Sequence, residues 1–201
     1  MPGRSHDGVA GLLLAAGGGT RLGTPKALVE FGGELLADRG VRLLHEGGCH
    51  PVVVVLGAAT VQVNGAVAVR NPDWESGMGS SLRVGLAALP PQARAVVVAL
   101  VDQPLVGAEA VRRLVAAWKS GASVAVATYS GRRRNPVLIA REHFAEVAEL
   151  AVGDVGARPF LRRNADLITD VPCEDVSDPA DIDTAQDLAR VGRLATSPGL
   201  A

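Results

Sequence analysis

Residues 12–28, LLLAAGGGTRLGTPKAL, decide how this chain is read. The run from Val9 to Ala15 is almost wholly apolar and predicts a first strand, which breaks into glycines and then into a stretch holding Arg21 and Lys26. An uninterrupted apolar run is what a strand buried on both faces requires. The same type of run returns at Val52 to Leu56 and at Ala95 to Val101, AVVVALV, the strongest central-strand candidate. Val67 to Arg70, Val124 to Tyr129, Val137 to Ile139 and Leu167 to Val171 read as further strands. Between them lie helical patterns at 35–44, from a Ser80 or Ser81 cap to Leu89, at 142–150 and at 159–163. A further helix puts Val111, Leu114, Val115 and Trp118 on one apolar face, so Trp118 reads as core. Strands alternating with helices predict an α/β fold with a parallel sheet wrapped by helices. SGRRRNP, 130–136, reads as a polar loop, and 180–194 begins extended and ends helical. No repeat or linker interrupts the pattern, so one domain over 1–194 and a frayed tail at 195–201 are expected.

Composition narrows the function classes. The 201 residues are 48% hydrophobic and 20% charged, which excludes a disordered chain. Lys plus Arg number 20 against 21 Asp plus Glu, a balance that argues against nucleic acid as a partner. Cys49 and Cys173 stand far apart with no CxxC, so neither a disulfide framework nor a zinc site is indicated. No apolar run approaches the roughly 18 residues of a membrane span. Arg4 ahead of the run 9–16 imitates a signal peptide, but Asp7 spoils its basic start and the run flows into the glycine loop. A cytoplasmic protein without membrane partners is the expectation.

The glycine loop carries the chemistry. Small residues from Ala15 to Gly19 leave backbone N–H groups open to a phosphate chain. Arg21 and Lys26 add two positive charges beside that cradle. The P-loop spacing fails, because Gly18 to Gly23 is followed by Thr24 and the lysine waits until position 26. The dinucleotide spacing fails as well: Leu22 stands where the third glycine belongs, and VVVVLGAA ends without an acidic residue for a ribose. An NAD-dependent dehydrogenase is therefore disfavoured.

The second pole is acidic. Asp102 follows AVVVALV directly and reads either as a metal ligand at the sheet edge or as a helix cap acting across Pro104 and Gly107. From 164 to 189 there are eight acidic residues and no basic one, read mostly as a solvated face. In an extended segment alternate residues share a side, so Asp181 or Asp183 could join Asp102 in holding Mg²⁺. Arg132-Arg133-Arg134 is either a solvated loop or an anion contact for a second, phosphorylated substrate. The histidines show neither ligand spacing nor a nucleophile partner.

With these residues in view, the chain resembles the molybdenum cofactor nucleotidyltransferases, the cytidylyltransferases in particular. LAAGGGTRLGTPK is similar to the family's LAAG-x-S/G-x-R-x-G-x-x-K signature and SGMGSSLRVGL to its segment near the nucleotide base. VDQP resembles its metal-binding corner, GDVGARPFL its segment near the pterin acceptor, and DIDTAQDL its closing DIDTP-x-DL element. Asn135 stands where relatives place glycine before proline, and Ala185 replaces a proline.

The resemblance implies a Rossmann-like three-layer α/β/α fold of the nucleotide-diphospho-sugar transferase type, with a mostly parallel, mixed sheet. It implies transfer of CMP from CTP to the terminal phosphate of molybdopterin, with release of pyrophosphate. It puts the nucleotide on Leu14, Ala15, Ala16, Gly17, Gly18, Gly19, Lys26, Asn71, Ser81 and Asp102, and the catalytic roles on Arg21, Lys26 and Asp102. Mg²⁺ falls to Asp102 and Asp183, and Ala16 in LAAG resembles the cytidylyl rather than the guanylyl branch. The partners implied are CTP and a phosphorylated pterin, with room for a molybdoenzyme. A guanylyltransferase, a sugar-phosphate nucleotidyltransferase and a non-catalytic cofactor-insertion chaperone are the alternatives.

Overall fold

A computed structural model describes residues 8–195. Its strands are β1 (Val9–Ala15), β2 (Glu30–Phe31), β3 (Glu34–Leu35), β4 (Val52–Leu56), β5 (Val67–Arg70), β6 (Ala95–Leu100), β7 (Val124–Tyr129), β8 (Arg132–Ala140) and β9 (Ile168–Pro172). Its helices are α1 (Leu36–Glu46), α2 (Met78–Ala88), α3 (Ala108–Lys119), α4 (Phe144–Leu150), α5 (Arg158–Arg163) and α6 (Ala185–Ala195). Seven strands form one sheet in the order β5-β4-β1-β6-β8-β7-β9, and only β8 runs against the rest.

Side-chain alternation along the strands builds two cores. Leu12, Leu14, Val53, Val96 and Val98 meet Leu82, Leu86, Phe144 and Phe160 on one face. Leu13, Val52, Val54 and Val97 meet Val41, Leu44, Leu114 and Val191 on the other. The result is a three-layer α/β/α sandwich with a mostly parallel, mixed sheet. Gly40 lets α1 approach the Leu13 side chain, where an added Cβ would lie 2.7 Å from its methyl groups. Among the described residues no helix is long and apolar enough to cross a membrane.

Two sequence-based expectations are corrected. Ser80 and Ser81 do not cap α2; Gly77 occupies that position and both serines lie buried within the helix. The stretch 130–136 is not a loop: Ser130 and Gly131 alone make the turn, and the arginines already belong to β8. A register shift at Val126/Ala127 absorbs Asn135 and Pro136, which lets a proline sit inside a sheet. The acidic stretch is mostly an exposed face, as expected, with five of its eight carboxylates exposed and none buried, and several are paired there. Asp170 pairs with Arg133, Asp175 with Arg113 and Asp187 with Arg190, while Asp181 and Asp183 serve the site described below. The tail expected at 195–201 lies, apart from Ala195 at the end of α6, outside the described residues.

Candidate active site

The chain leaves β1 toward β4 on one side, and β6 lies on the other, so the carboxyl ends of β1 and β6 flank a switch in strand order. Open α/β sheets hold ligands in that crevice. Here it is a cleft of about 590 Å³, with the glycine loop on one wall, the start of α2 on another, and Asp102 and Asp183 at its edge.

The glycine loop is shaped by its own backbone. Gly19 has φ +58°, and its carbonyl accepts from the amides of Leu22 and Gly23 at 2.8 Å each. Lys26 N donates to Gly17 O at 3.3 Å, which returns the chain to the sheet edge and points Lys26 into the cleft. Gly17, by contrast, faces open space and would admit a Cβ without contact.

Lys26 is the hinge of the site. Its ammonium donates to Asp102 Oδ2 and to Asp183 Oδ1, both at 2.6 Å, and Arg21 Nη2 donates to Asp183 Oδ2 at 2.9 Å. Stretches 157 residues apart are thereby joined. Burial pushes the Asp102 carboxyl above its ordinary value, against the pull of the Lys26 charge. The hydrogen bond from Lys26 holds Asp183 below the usual carboxylate range. Burial opposes the charge on Lys26, but Asp102 and then Asp183 outweigh it, so the ammonium titrates above its ordinary value.

Asp102 is not a cap: α3 starts after Gly107 with no side-chain cap. Its Oδ1 is buried and finds no hydrogen-bond partner among the described residues. Orphaned buried oxygens are rare and call for an occupant. That orphaned oxygen beside a second carboxylate suits a hard divalent cation, which takes one or two protein carboxylates along with waters and phosphate oxygens. Among the described residues no cluster of three or more His, Cys, Asp or Glu side chains exists.

Asp183 is placed by a helix start. Thr184 precedes α6, and Asp187 Oδ2 accepts from the Thr184 amide at 3.0 Å, while Asp187 N donates to Thr184 Oγ1 at 3.1 Å. This is a reciprocal capping box, legible in the spacing Thr184-x-x-Asp187 but not anticipated above.

Other expected residues divide. Leu14, Ala16, Gly17, Gly19 and Ser81 line the cleft with the charged four. Ala15 instead packs in the core, on the face covered by α1 and α3. Gly18 faces Trp74, whose ring would lie 2.9 Å from an added Cβ. Asn71 is buried and acts through others: its Nδ2 donates to Ser80 Oγ at 2.8 Å and Ser81 Oγ at 3.0 Å. Trp74 lines the cleft without having been anticipated, and Met78 and Asp154 do so from the two segments that the resemblance put near the base and the acceptor. Asp154 accepts from the Met78 amide at 3.2 Å, which joins these two segments directly. Arg132, Arg133 and Arg134 do not line the cleft, and Arg133 is engaged by Asp170.

Comparison with known proteins agrees with this architecture. Residues 11–167 match the model of the MobA-like NTP transferase domain. A nicotine blue oxidoreductase from Paenarthrobacter nicotinovorans is 39% identical over 197 residues, covering 91% of this chain and 96% of that protein. The crystal structure of the Rv0371c homologue from Mycobacterium sp. strain JC1 superposes with a TM-score of 0.81 at 31% identity, over 94% of this chain and 97% of that one. Rv0371c of Mycobacterium tuberculosis H37Rv, solved in complex with manganese, gives a TM-score of 0.77 at 26% identity, over 92% and 98%. The chain belongs to the MobA-like NTP transferase family, and so to the nucleotidyltransferase superfamily.

Proposed function

We propose that this protein transfers CMP from CTP to the terminal phosphate of molybdopterin, in the cytoplasm, releasing pyrophosphate. The observation that carries the reading is the Lys26 ammonium held at 2.6 Å by both Asp102 and Asp183, beside an open glycine loop. The attacking group is a phosphate oxygen already ionised near neutral pH, so no general base is needed, and among the described residues no histidine lines the cleft. The barrier is instead the meeting of two anions and the charge that grows on the leaving pyrophosphate. Positioning and preorganised charge are the means suited to it.

Asp102 and Asp183 would hold Mg²⁺, which supplies charge neutralisation between phosphate groups when bound. The amides of Gly17 and Gly19 bind the phosphate chain, and Arg21 and Lys26 neutralise it. These cations sit on carboxylates in the free protein, so they are preorganised at the cleft edge rather than free in solvent. Ala16 lines the cleft and supports CTP as the donor nucleotide. Pyrophosphate release measured with CTP, GTP, UTP and ATP, with Mg²⁺ and molybdopterin or sugar phosphates as acceptors, tests the reading. CTP with molybdopterin is expected to give the fastest release; faster release with GTP or with a sugar phosphate would reassign the donor or the acceptor.

A second reading rests on one specific observation, the 39% identity to an oxidoreductase named for nicotine blue over 96% of its length. It is followed by the nicotine blue absorbance in the presence of NADH or NADPH. The intact set of Arg21, Lys26, Asp102 and Asp183 favours nucleotidyl transfer.

A further inference from the structure

Residues 177–183 form neither helix nor strand, yet they deliver Asp183 to the same ammonium that Asp102 touches. Backbone ties hold the two ends of this segment. Asp178 N donates to Leu105 O at 3.2 Å, and Ile182 N donates to Asp102 O at 2.9 Å. Between them Ala180 packs against the core, and the polar link to the rest of the fold is the side chain of Gln103. Its Nε2 donates to Asp181 Oδ1 at 2.7 Å and to Pro179 O at 3.3 Å. Both partners are acceptors, so the nitrogen of the amide must face them. Gln103 is 7% exposed, and a buried amide that lost these partners would be left unsatisfied.

The pairing has a simple logic. Asp102 and Gln103 are neighbours in the chain, and Asp181 and Asp183 stand two apart on an extended segment. Lys26 bridges Asp102 to Asp183, and Gln103 engages Asp181. The amide therefore sets the position of the segment and draws Asp181, which does not line the cleft, away from it. We propose that Gln103 is the positioning residue of the divalent-cation site, fixing Asp183 opposite Asp102 through its clamp on Asp181 and Pro179. This rests on the metal reading of Asp102 and Asp183 given above.

The test is binding of Mn²⁺ alone to the full chain, read from the electron paramagnetic resonance signal of the free ion, with thermal unfolding recorded for each variant. Gln103→Leu and Asp181→Leu are each expected to weaken Mn²⁺ binding about tenfold, the low end for residues that orient metal ligands. Their combination should be no weaker than either alone, because both remove one clamp. Asp181→Asn keeps an acceptor oxygen for Gln103 and should bind Mn²⁺ like the parent. Parent-like binding by Gln103→Leu and Asp181→Leu would overturn the proposal while leaving the metal site standing. Equal losses in Asp181→Asn and Asp181→Leu would also overturn it, by showing that the charge of Asp181 acts rather than the clamp. If Gln103→Leu does not fold, the two Asp181 variants, on an exposed position, decide the matter. A parent chain that binds no Mn²⁺ would remove the metal reading itself, and this proposal with it.

Discussion

The Lys26 ammonium lies 2.6 Å from an oxygen of Asp102, 76 residues further along the chain, at the carboxyl edge of the central strands. Asp102 is largely buried and its charge is met chiefly by this neighbour, since its other oxygen has no side-chain partner among the described residues. Lys26→Ala removes the counter-charge and a preorganised donor at once. Turnover is expected to fall by about 10²–10³-fold, the scale of a lost oxyanion-type donor. Pyrophosphate release by the folded variant checks this.

Asp102→Asn should keep the fold, because a neutral amide is less costly to bury than a carboxylate. It should abolish Mg²⁺-dependent turnover. A variant that still responds to Mg²⁺ titration would move the metal away from Asp102.

The two carboxylates give the Lys26 contact a pH signature. Asp183 titrates below its ordinary 3.8 in the folded chain, so its contribution is present above 3.8 and is lost as the pH falls through the depressed value. Asp102 titrates above 3.8, so an ionised Asp102 opposes folding as the pH rises, and more so without Lys26. The destabilisation caused by Lys26→Met should therefore be largest near neutral pH. It should shrink as Asp102 and then Asp183 take up protons. Urea unfolding midpoints between pH 3 and 7 measure it; a pH-independent difference would argue against the pairing.

Two glycines of one loop should behave oppositely. Gly19, at φ +58°, would drive a Cβ into the Thr24 carbonyl, so Gly19→Ala is expected to cost more than the roughly 1–2 kcal/mol of a left-handed alanine. Gly17 meets nothing within 4 Å, so Gly17→Ala should leave thermal stability unchanged and raise KM for the nucleotide by crowding the cleft. Melting temperatures and KM values separate the two effects.

Burial pushes the Cys49 thiol up to about 12 and Cys173 up to about 11. Neither forms appreciable thiolate near neutral pH, so iodoacetamide at pH 8 should label the chain only after unfolding. Labelling of the native protein would show the core open near one of them.

Much of the fold was legible because buried parallel strands write their boundaries in apolar residues. The predicted limits of β1, β4, β5 and β7 coincide with those observed. The failures have physical causes. β2 and β3 contain two residues each, too short for periodicity, although Gly32 and Gly33 at positive φ mark a hairpin turn between Phe31 and Glu34. Arg132 to Arg134 look like loop because they are charged, yet an exposed extension of a strand tolerates charge. Ser80 and Ser81 resemble caps, and their interior position becomes visible only through Asn71, which reaches both hydroxyls from outside the helix. At the site, residue types and spacing indicated Arg21, Lys26, Asp102 and an acidic partner at 181 or 183. Spacing alone left 181 and 183 open and the DIDTAQDL resemblance pointed to Asp183, whereas the direct bridge by Lys26 required coordinates.

In the proposed reaction Arg21, Lys26, Asp102, Asp183 and the glycine amides surround one triphosphate. A crystal structure of the protein with CTP and Mg²⁺ tests it most directly. Phosphate oxygens are expected within hydrogen-bond reach of the Lys26 ammonium and the loop amides, with a metal ion on Asp102 and Asp183. A triphosphate bound away from the glycine loop, or a metal ion that leaves Asp102 untouched, would contradict it.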